Sequence, residues 1–343
     1  MPARGPARAG SAGPGASAPL YACRVPAPEA DTLATDLAGL RLRNPVMLAA
    51  GTHGTLDEFG TVCPLERVGA LVTKSITPEP RLGNPTWRLI PARAGMLNAI
   101  GLANPGIERF APYLAERAGD IPTVVIGSAA GFSLGDYVRV VSAYDELADR
   151  GVPAVELNVS CPNVSTGCEF GHTPGGMREL MDAVRPAGPR LKMFVKLSPG
   201  GADIVGVARA AVDGGADGLT IGNTIPAMAI DVRTRRPRLA NVTGGFSGPG
   251  LHPVAVRLVH EVWRRVARAA GVPVIGAGGV CTWQDAAEMI LAGASAVQLG
   301  TVLLADPRAP LRIVRGLERW AARQGVARLG ELVGAVRVDG PND

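Results

Sequence analysis

Eight short apolar runs recur along this chain, separated by longer stretches, most of them with helical spacing, and this alternation restricts the fold more than any other feature. The runs span 45–50, 70–74, 123–128, 154–159, 193–197, 218–221, 273–277 and 296–300. Amphipathic patterns lie between and after them, at 104–118, 134–150, 177–184, 204–213, 254–269, 283–292 and 310–324. Strands covered on both faces read as nearly continuous apolar runs, so the pattern predicts a parallel sheet between helices. Eight units in a single array predict an α/β fold of the closed (β/α)8 TIM-barrel type. An open doubly wound sheet is the alternative, but no run leads into a Gly-x-Gly-x-x-Gly turn.

Composition removes several function classes. Of 343 residues, 47% are hydrophobic and 19% charged, which supports a sizeable core and rules out global disorder. No apolar run approaches the length needed to span a bilayer, which excludes a membrane-embedded protein. The net charge of +5 is carried by scattered arginines, and aromatics make up only 4% of the chain, so nothing resembles a nucleic-acid surface. The five cysteines (Cys23, Cys63, Cys161, Cys168 and Cys281) are odd in number and widely spaced. No disulfide framework, zinc knuckle or iron–sulfur cluster is expected, so no metal site, and the chain reads as reduced and cytoplasmic. Lysine is nearly absent: only Lys74, Lys192 and Lys196 occur. Lys74 and Lys196 stand at apolar strand ends, where a compact ammonium has a use that a guanidinium does not. Lys192 precedes its strand and reads as surface.

Residues 1–33 are rich in Ala, Pro and Gly with no hydrophobic period, and are expected to form a disordered extension rather than a signal peptide or membrane-docking helix. Residues 34–343 form the barrel domain. Two connections, 75–103 and 224–253, are too long for ordinary loops. Each follows a strand C-terminus, so both are expected to cover the barrel's working face or build a small extra sheet there.

In such barrels the chemistry sits where the strands end. Read in order, those ends carry Ala49-Ala50-Gly51-Thr52, Lys74-Ser75, Ser128, Asn158 through Asn163, Lys196, Asn223-Thr224, Gly278-Gly279 and Gly300-Thr301. Amides and lysines are present; carboxylates and histidines are not. A hydrolytic carboxylate pair and a His-based metal site therefore lack their parts. Asn offers a donor and an acceptor to a planar ring, a lysine stabilises an anion forming on such a ring, and glycines after the last strands expose N–H groups to a phosphate. The set reads as one phosphorylated cofactor plus one small planar substrate.

Here a resemblance becomes specific. KSITPEPRLGNPTWR (74–88), GMLNAIGLANPG (95–106), LNVSCPN (157–163), NTIPAMAID (223–231) and VTGGFSGPGLHP (242–253) resemble class 1 dihydroorotate dehydrogenases, most of all the flavin subunit of the NAD-linked type 1B. The likeness runs from about residue 35 to 310 in order. It implies an FMN-containing barrel that oxidises (S)-dihydroorotate to orotate in pyrimidine biosynthesis. It also implies homodimerisation and a separate iron–sulfur/FAD subunit that carries electrons to NAD. On this resemblance Cys161 is the base that takes the C5 proton while the C6 hydride goes to flavin N5; a thiol suits the task because its pKa lies near neutrality. Lys74, Asn98, Asn158, Asn163, Asn223 and Thr224 match the residues holding orotate, with the backbone of Ile100, Gly101 and Leu102 on its carboxylate. Ala50, Gly51, Lys74, Ser75, Ser128, Asn158, Lys196 and Ile221 match the flavin lining, Lys196 at the N1/O2 edge. Gly248, Gly278, Gly279, Gly300 and Thr301 match the phosphate and ribityl contacts.

Several positions depart from the pattern or read differently alone. Ser128 stands where many type 1B members carry Asn, and Pro226 occupies a variable loop position. Outside its motif Cys161 would read as a buried structural thiol. Cys168 shares the loop but lies past the motif, and Cys63 and Cys281 read as inert core or helix-cap positions. His53 reads as a lid or surface residue; His172, His252 and His260 show no ligand spacing. Other activities stay open: a dihydropyrimidine dehydrogenase-like enzyme, a fumarate-linked type 1A-like enzyme, a paralogue for a related pyrimidine acid, or a flavin-binding subunit without turnover.

Overall fold

The computed structural model describes residues 32–159, 170–199 and 203–338. Eight parallel strands close a barrel in simple sequential order. They are β1 (Val46–Leu48), β2 (Ala70–Ile76), β3 (Val124–Ala129), β4 (Ala154–Asn158), β5 (Lys192–Leu197), β6 (Gly218–Ile221), β7 (Val274–Ala277) and β8 (Ala296–Leu299). β8 pairs with β1 and closes the ring, with Val297 opposite Val46 and Leu299 opposite Leu48. The predicted apolar runs are these strands, because a barrel wall packs side chains on both faces and leaves no polar alternation.

Helices cover the outside: α1 (Ile107–Arg117), α2 (Leu134–Asp145), α3 (Pro174–Val184), α4 (Ile204–Asp213), α5 (His252–Val262), α6 (Trp283–Ala292) and α7 (Ala309–Gln324). α4 and α6 occupy the bounds expected from the sequence, and both stop at glycines, Gly214 and Gly293. α6 starts in a capping box in which Thr282 and Asp285 satisfy each other's backbone N–H groups. The crossing from β1 to β2 carries 3-10 turns at Glu58–Thr61 and Leu65–Arg67. α5 passes into a π turn over Trp263–Ala267.

Leu33 is buried, and the Thr32 carbonyl accepts from the Leu329 N–H at 2.8 Å. A hairpin of Thr35–Leu37 and Leu40–Leu42 follows, which the apolar runs did not reveal. It plugs the N-terminal mouth, where Leu37 and Leu42 pack with Met47, Ala70, Ile126, Phe194 and Ile275 inside the barrel. Lys192 opens β5 instead of preceding it, and its ammonium pairs with Asp217 at 3.1 Å.

The two long connections build one structure. Leu89–Ala92 and Gly95–Asn98 from the first join Ile225–Met228 and Thr243–Ser247 from the second in a four-stranded antiparallel sheet. Thr243–Ser247 is the joint, pairing with Gly95–Asn98 on one side and Ile225–Met228 on the other. Ile90, Leu97 and Leu239 form a separate small core beneath it. This sheet is the roof of the barrel's C-terminal mouth.

Candidate active site

The mouth under the roof collects most of the residues that the sequence singled out. β2 and β3 hold Ser75 opposite Ser128, and their hydroxyls hydrogen-bond at 2.9 Å. Asn158, at the end of β4, donates from Nδ2 to the Ser75 hydroxyl at 3.2 Å. Three adjacent strands thus present a linked hydroxyl–hydroxyl–amide row. Tyrosines brace it from behind: Tyr137 donates to the Asn158 carbonyl at 2.8 Å and Tyr144 to the Ser128 carbonyl at 3.3 Å.

Lys74 lies beside this row. A Cβ built on Gly51 would sit 3.1 Å from the Lys74 Nζ, so the first strand end must stay small to leave room for the ammonium. Burial, with the Arg88 guanidinium nearby, pushes the Lys74 pKa below the usual lysine value. Both effects disfavour the charged form, and an anion arriving beside the ammonium would relieve them.

A second anion-binding element lies at the edge of the roof. Gly101 and Leu102 adopt positive φ of 76° and 55°. The N–H groups of Ile100, Gly101 and Leu102 donate to no backbone carbonyl among the described residues, while the carbonyls are tied down. Asn84 N–H donates to Ile100 O at 3.0 Å, and Asn84 Nδ2 donates to Ala99 O at 2.9 Å. With its carbonyls engaged elsewhere, this turn has N–H groups left for a carboxylate. Asn98 pairs in register with Gly245, against which Thr224 packs so closely that a Cβ on Gly245 would overlap its hydroxyl. The roof thus brings Asn98 together with Asn223-Thr224, which lies 125 residues further along the chain.

At the far side, Gly248, Gly278 and Gly279 meet with positive φ of 104°, 135° and 68°. A Cβ on Gly279 would stand 2.8 Å from both the Gly248 carbonyl and the His252 N–H nitrogen. Thr301 donates to the Ser247 hydroxyl at 2.8 Å, joining the end of β8 to the roof. A Cβ on Gly300 would meet only Ala49 at 3.8 Å and Thr52 at 3.9 Å, so there is open room at that strand end. Close-packed glycine backbone around an open space suits a phosphate, and the small residues at 49–51 suit a flat ring.

Below the mouth the structure shows a layer that reading strand ends missed. Glu156, two residues before Asn158, is buried, and its carboxylate faces Lys196, Thr220 and Gln298. The alternation of side chains along β4 could have found it, since Glu156 and Asn158 share a face. One histidine also needs correction, and a second gains a structural role. His53 is a core residue rather than a lid or surface one: it is 3% exposed, its Nε2 lies 2.8 Å from the Val72 carbonyl, and burial holds its pKa below the usual value. His252 places Nδ1 3.1 Å from the Gly278 carbonyl and Nε2 3.4 Å from Glu288, so it supports the glycine cluster. Cys63 is buried, and burial raises its thiol to about 11; Cys281 adjoins the α6 cap and is also raised by burial. Ala50, Gly51 and Ile221 line the strand ends as expected. Cys161, Asn163 and Cys168 lie outside the described residues.

The family model for dihydroorotate dehydrogenase matches residues 32–320. The chain is 45% identical over 305 residues to the catalytic subunit of dihydroorotate dehydrogenase B (NAD(+)) from Trichlorobacter lovleyi, covering 89% of this chain and 98% of that protein. It is 42% identical over 307 residues to the subunit of the same name from Bacteroides fragilis, covering 89% and 99%. The crystal structure of a dihydroorotate dehydrogenase from Eimeria tenella in complex with ferulenol superposes with a TM-score of 0.76 at 23% identity, over 92% of this chain and 90% of that one, a likeness of fold. No helix among the described residues is long and apolar enough to cross a membrane. The chain belongs to the dihydroorotate dehydrogenase family of oxidoreductases.

Proposed function

We propose that this chain is the FMN-bearing catalytic subunit of an NAD-linked dihydroorotate dehydrogenase, converting (S)-dihydroorotate to orotate in the cytoplasm for pyrimidine (UMP) synthesis. The observation that carries the reading is the pairing of a linked Ser75–Ser128–Asn158 row with two anion-seeking elements at one mouth, the Lys74 ammonium and the N–H groups of 100–102, which donate to no backbone carbonyl among the described residues. A planar amide ring bearing a carboxylate meets both needs.

In this reading Gly248, Gly278, Gly279, Gly300 and Thr301 hold the phosphate and ribityl chain. Ala50, Gly51, Ser75, Ser128, Ile221 and Lys196 line the ring. Bound FMN would supply a two-electron acceptor for the hydride leaving C6 of the substrate. The chain's own work is to hold and deprotonate. Asn98, Asn158, Asn163, Asn223 and Thr224 orient the pyrimidine ring through donor–acceptor pairs, and Lys74 with the Ile100–Leu102 backbone fixes its carboxylate. The Cys161 thiolate takes the C5 proton, a role supported by its motif NVSCPN. The roof excludes water above the ring. The relatives' name as a catalytic subunit supports a second chain, which we assign as an iron–sulfur/FAD subunit passing electrons to NAD, docked on a homodimer of this one.

The test is anaerobic mixing of the purified FMN-loaded chain with dihydroorotate, watching the flavin absorbance. Rapid bleaching is expected, with dihydrouracil far slower. Reoxidation is then followed with NAD, fumarate and a quinone in parallel. No bleaching by dihydroorotate refutes the reading, and full-rate fumarate reduction by the isolated chain refutes the NAD linkage.

A further inference from the structure

The buried layer beneath the mouth has a composition that barrel packing does not demand. Barrel interiors are usually filled by branched aliphatic side chains. Here β4, β5, β6 and β8 contribute Glu156, Lys196, Thr220 and Gln298, all 8% exposed or less. The contacts are directional. Gln298 accepts from Lys196 Nζ at 2.8 Å through Oε1 and donates through Nε2 to Glu156 Oε2 at 2.5 Å. Thr220 donates to the same oxygen at 2.7 Å, and Lys196 Nζ stands 3.4 Å from Glu156 Oε1. The amide of Gln298 can satisfy both neighbours in one orientation only, because lysine has no acceptor and the carboxylate no donor.

The cluster adjoins the site row. Lys196 pairs in register with Asn158 on one side and with Thr220 on the other, and Glu156 pairs with Ser128. Burying an ion pair costs desolvation that apolar residues of similar volume avoid, so the fold alone gives no reason to keep it. A reason appears in the charge that the pair presents upward. Lysine alone would place a full positive charge below the ring site, whereas lysine with glutamate presents a dipole of zero net charge. In a low-dielectric interior that difference acts strongly on any ligand whose charge changes.

We propose that Glu156 is a positioning residue that neutralises Lys196 and thereby holds the two-electron midpoint potential of the bound FMN down, keeping it able to pass electrons onward to a weak acceptor such as a nicotinamide. The inference rests on the functional reading above. FMN gains negative charge on reduction near neutral pH, so an unopposed ammonium beneath it favours the reduced form and an added carboxylate opposes that.

The experiment is a spectroelectrochemical titration of the full-length FMN-loaded chain at one pH, comparing wild type with Glu156→Gln and Thr220→Val. Glu156→Gln removes the charge. Thr220→Val removes a hydrogen bond to the same carboxylate and leaves the charge in place. Glu156→Gln is expected to shift the equilibrium toward reduced FMN at least tenfold, which is about 30 mV more positive for a two-electron couple. Thr220→Val is expected to stay within about threefold, near 15 mV. Overturning results are an unmoved potential in Glu156→Gln, or an equal shift in Thr220→Val, which would make packing and not charge the cause. If Glu156→Gln does not accumulate as folded protein, Lys196→Gln is compared with the double variant, whose neutral amides carry no buried charge. The double variant should be the more positive of the two, and equal potentials overturn the inference. A wild-type chain that takes up no FMN overturns the functional reading and this inference with it; a loaded wild type with an indifferent Glu156→Gln overturns this inference alone.

Discussion

Two glycines with nearly the same φ and different surroundings test whether the glycine cluster is a phosphate cradle. Gly279 has φ +68° and Gly325, at the end of α7, has φ +69°. A Cβ at Gly325 meets nothing within 4 Å, whereas at Gly279 it meets the Gly248 carbonyl, the His252 nitrogen and the His252 Cβ, each at 2.8 Å. Gly325→Ala therefore carries only the left-handed penalty, about 1–2 kcal/mol. Gly279→Ala carries that plus overpacking against backbone, roughly 1–3 kcal/mol more, and the loop must move to relieve it. Movement withdraws N–H groups from the phosphate. Losing one hydrogen bond to a charged group costs about 1.5–3 kcal/mol, or roughly ten- to 150-fold in affinity. The assay is fluorescence titration of FMN into apoprotein for each variant, beside urea unfolding of the apo forms. Both variants should lose stability, but only Gly279→Ala should lose FMN affinity by an order of magnitude or more. Equal FMN affinity in the two variants would refute the cradle assignment.

Three further outcomes are expected. Orotate, an anion, favours charged Lys74, so its affinity should hold at neutral pH and fall as pH rises through the lowered Lys74 pKa, measured by titration in stepped buffers; in Lys74→Met it should be weaker by about 1.5–3 kcal/mol and flat across that range. With its thiol raised to about 11 by burial, Cys63 should remain unmodified by iodoacetamide at mildly alkaline pH in the native protein and react once unfolded, as read by peptide mass mapping. Leu37→Ala, which empties part of the barrel plug, should lower urea stability by about 2–5 kcal/mol.

The sequence made the barrel wall readable because eight strands packed on both faces leave unbroken apolar runs, and α4 and α6 readable because a clean period ends at a glycine in each. The hairpin at 35–42 escaped for a physical reason: two strands of three residues are too short for periodicity, and their burial depends on a mouth assembled from residues far along the chain. His53 read as a surface group because its neighbours in sequence are small and polar, while the Val72 carbonyl and Phe59 ring that bury it come from elsewhere. In the site, the row at Ser75, Ser128 and Asn158 was legible because strand ends are where barrels place chemistry. Glu156 was not, because a residue two positions before a strand end looks like wall until its facing strands are known.

The roof has a consequence for the order in which the molecule is made. Its joint strand, Thr243–Ser247, is translated nearly 150 residues after the Gly95–Asn98 strand that it pairs with. While the chain emerges from the ribosome, the hairpin of Leu89–Ala92 and Gly95–Asn98 carries an open edge, and Asn98 has no counterpart to fix it. The barrel's C-terminal mouth is therefore roofed only late in synthesis, after β6 and its long excursion have been delivered, so a truncated product that ends before that point retains half a roof and an unpaired strand edge exposed to neighbouring chains.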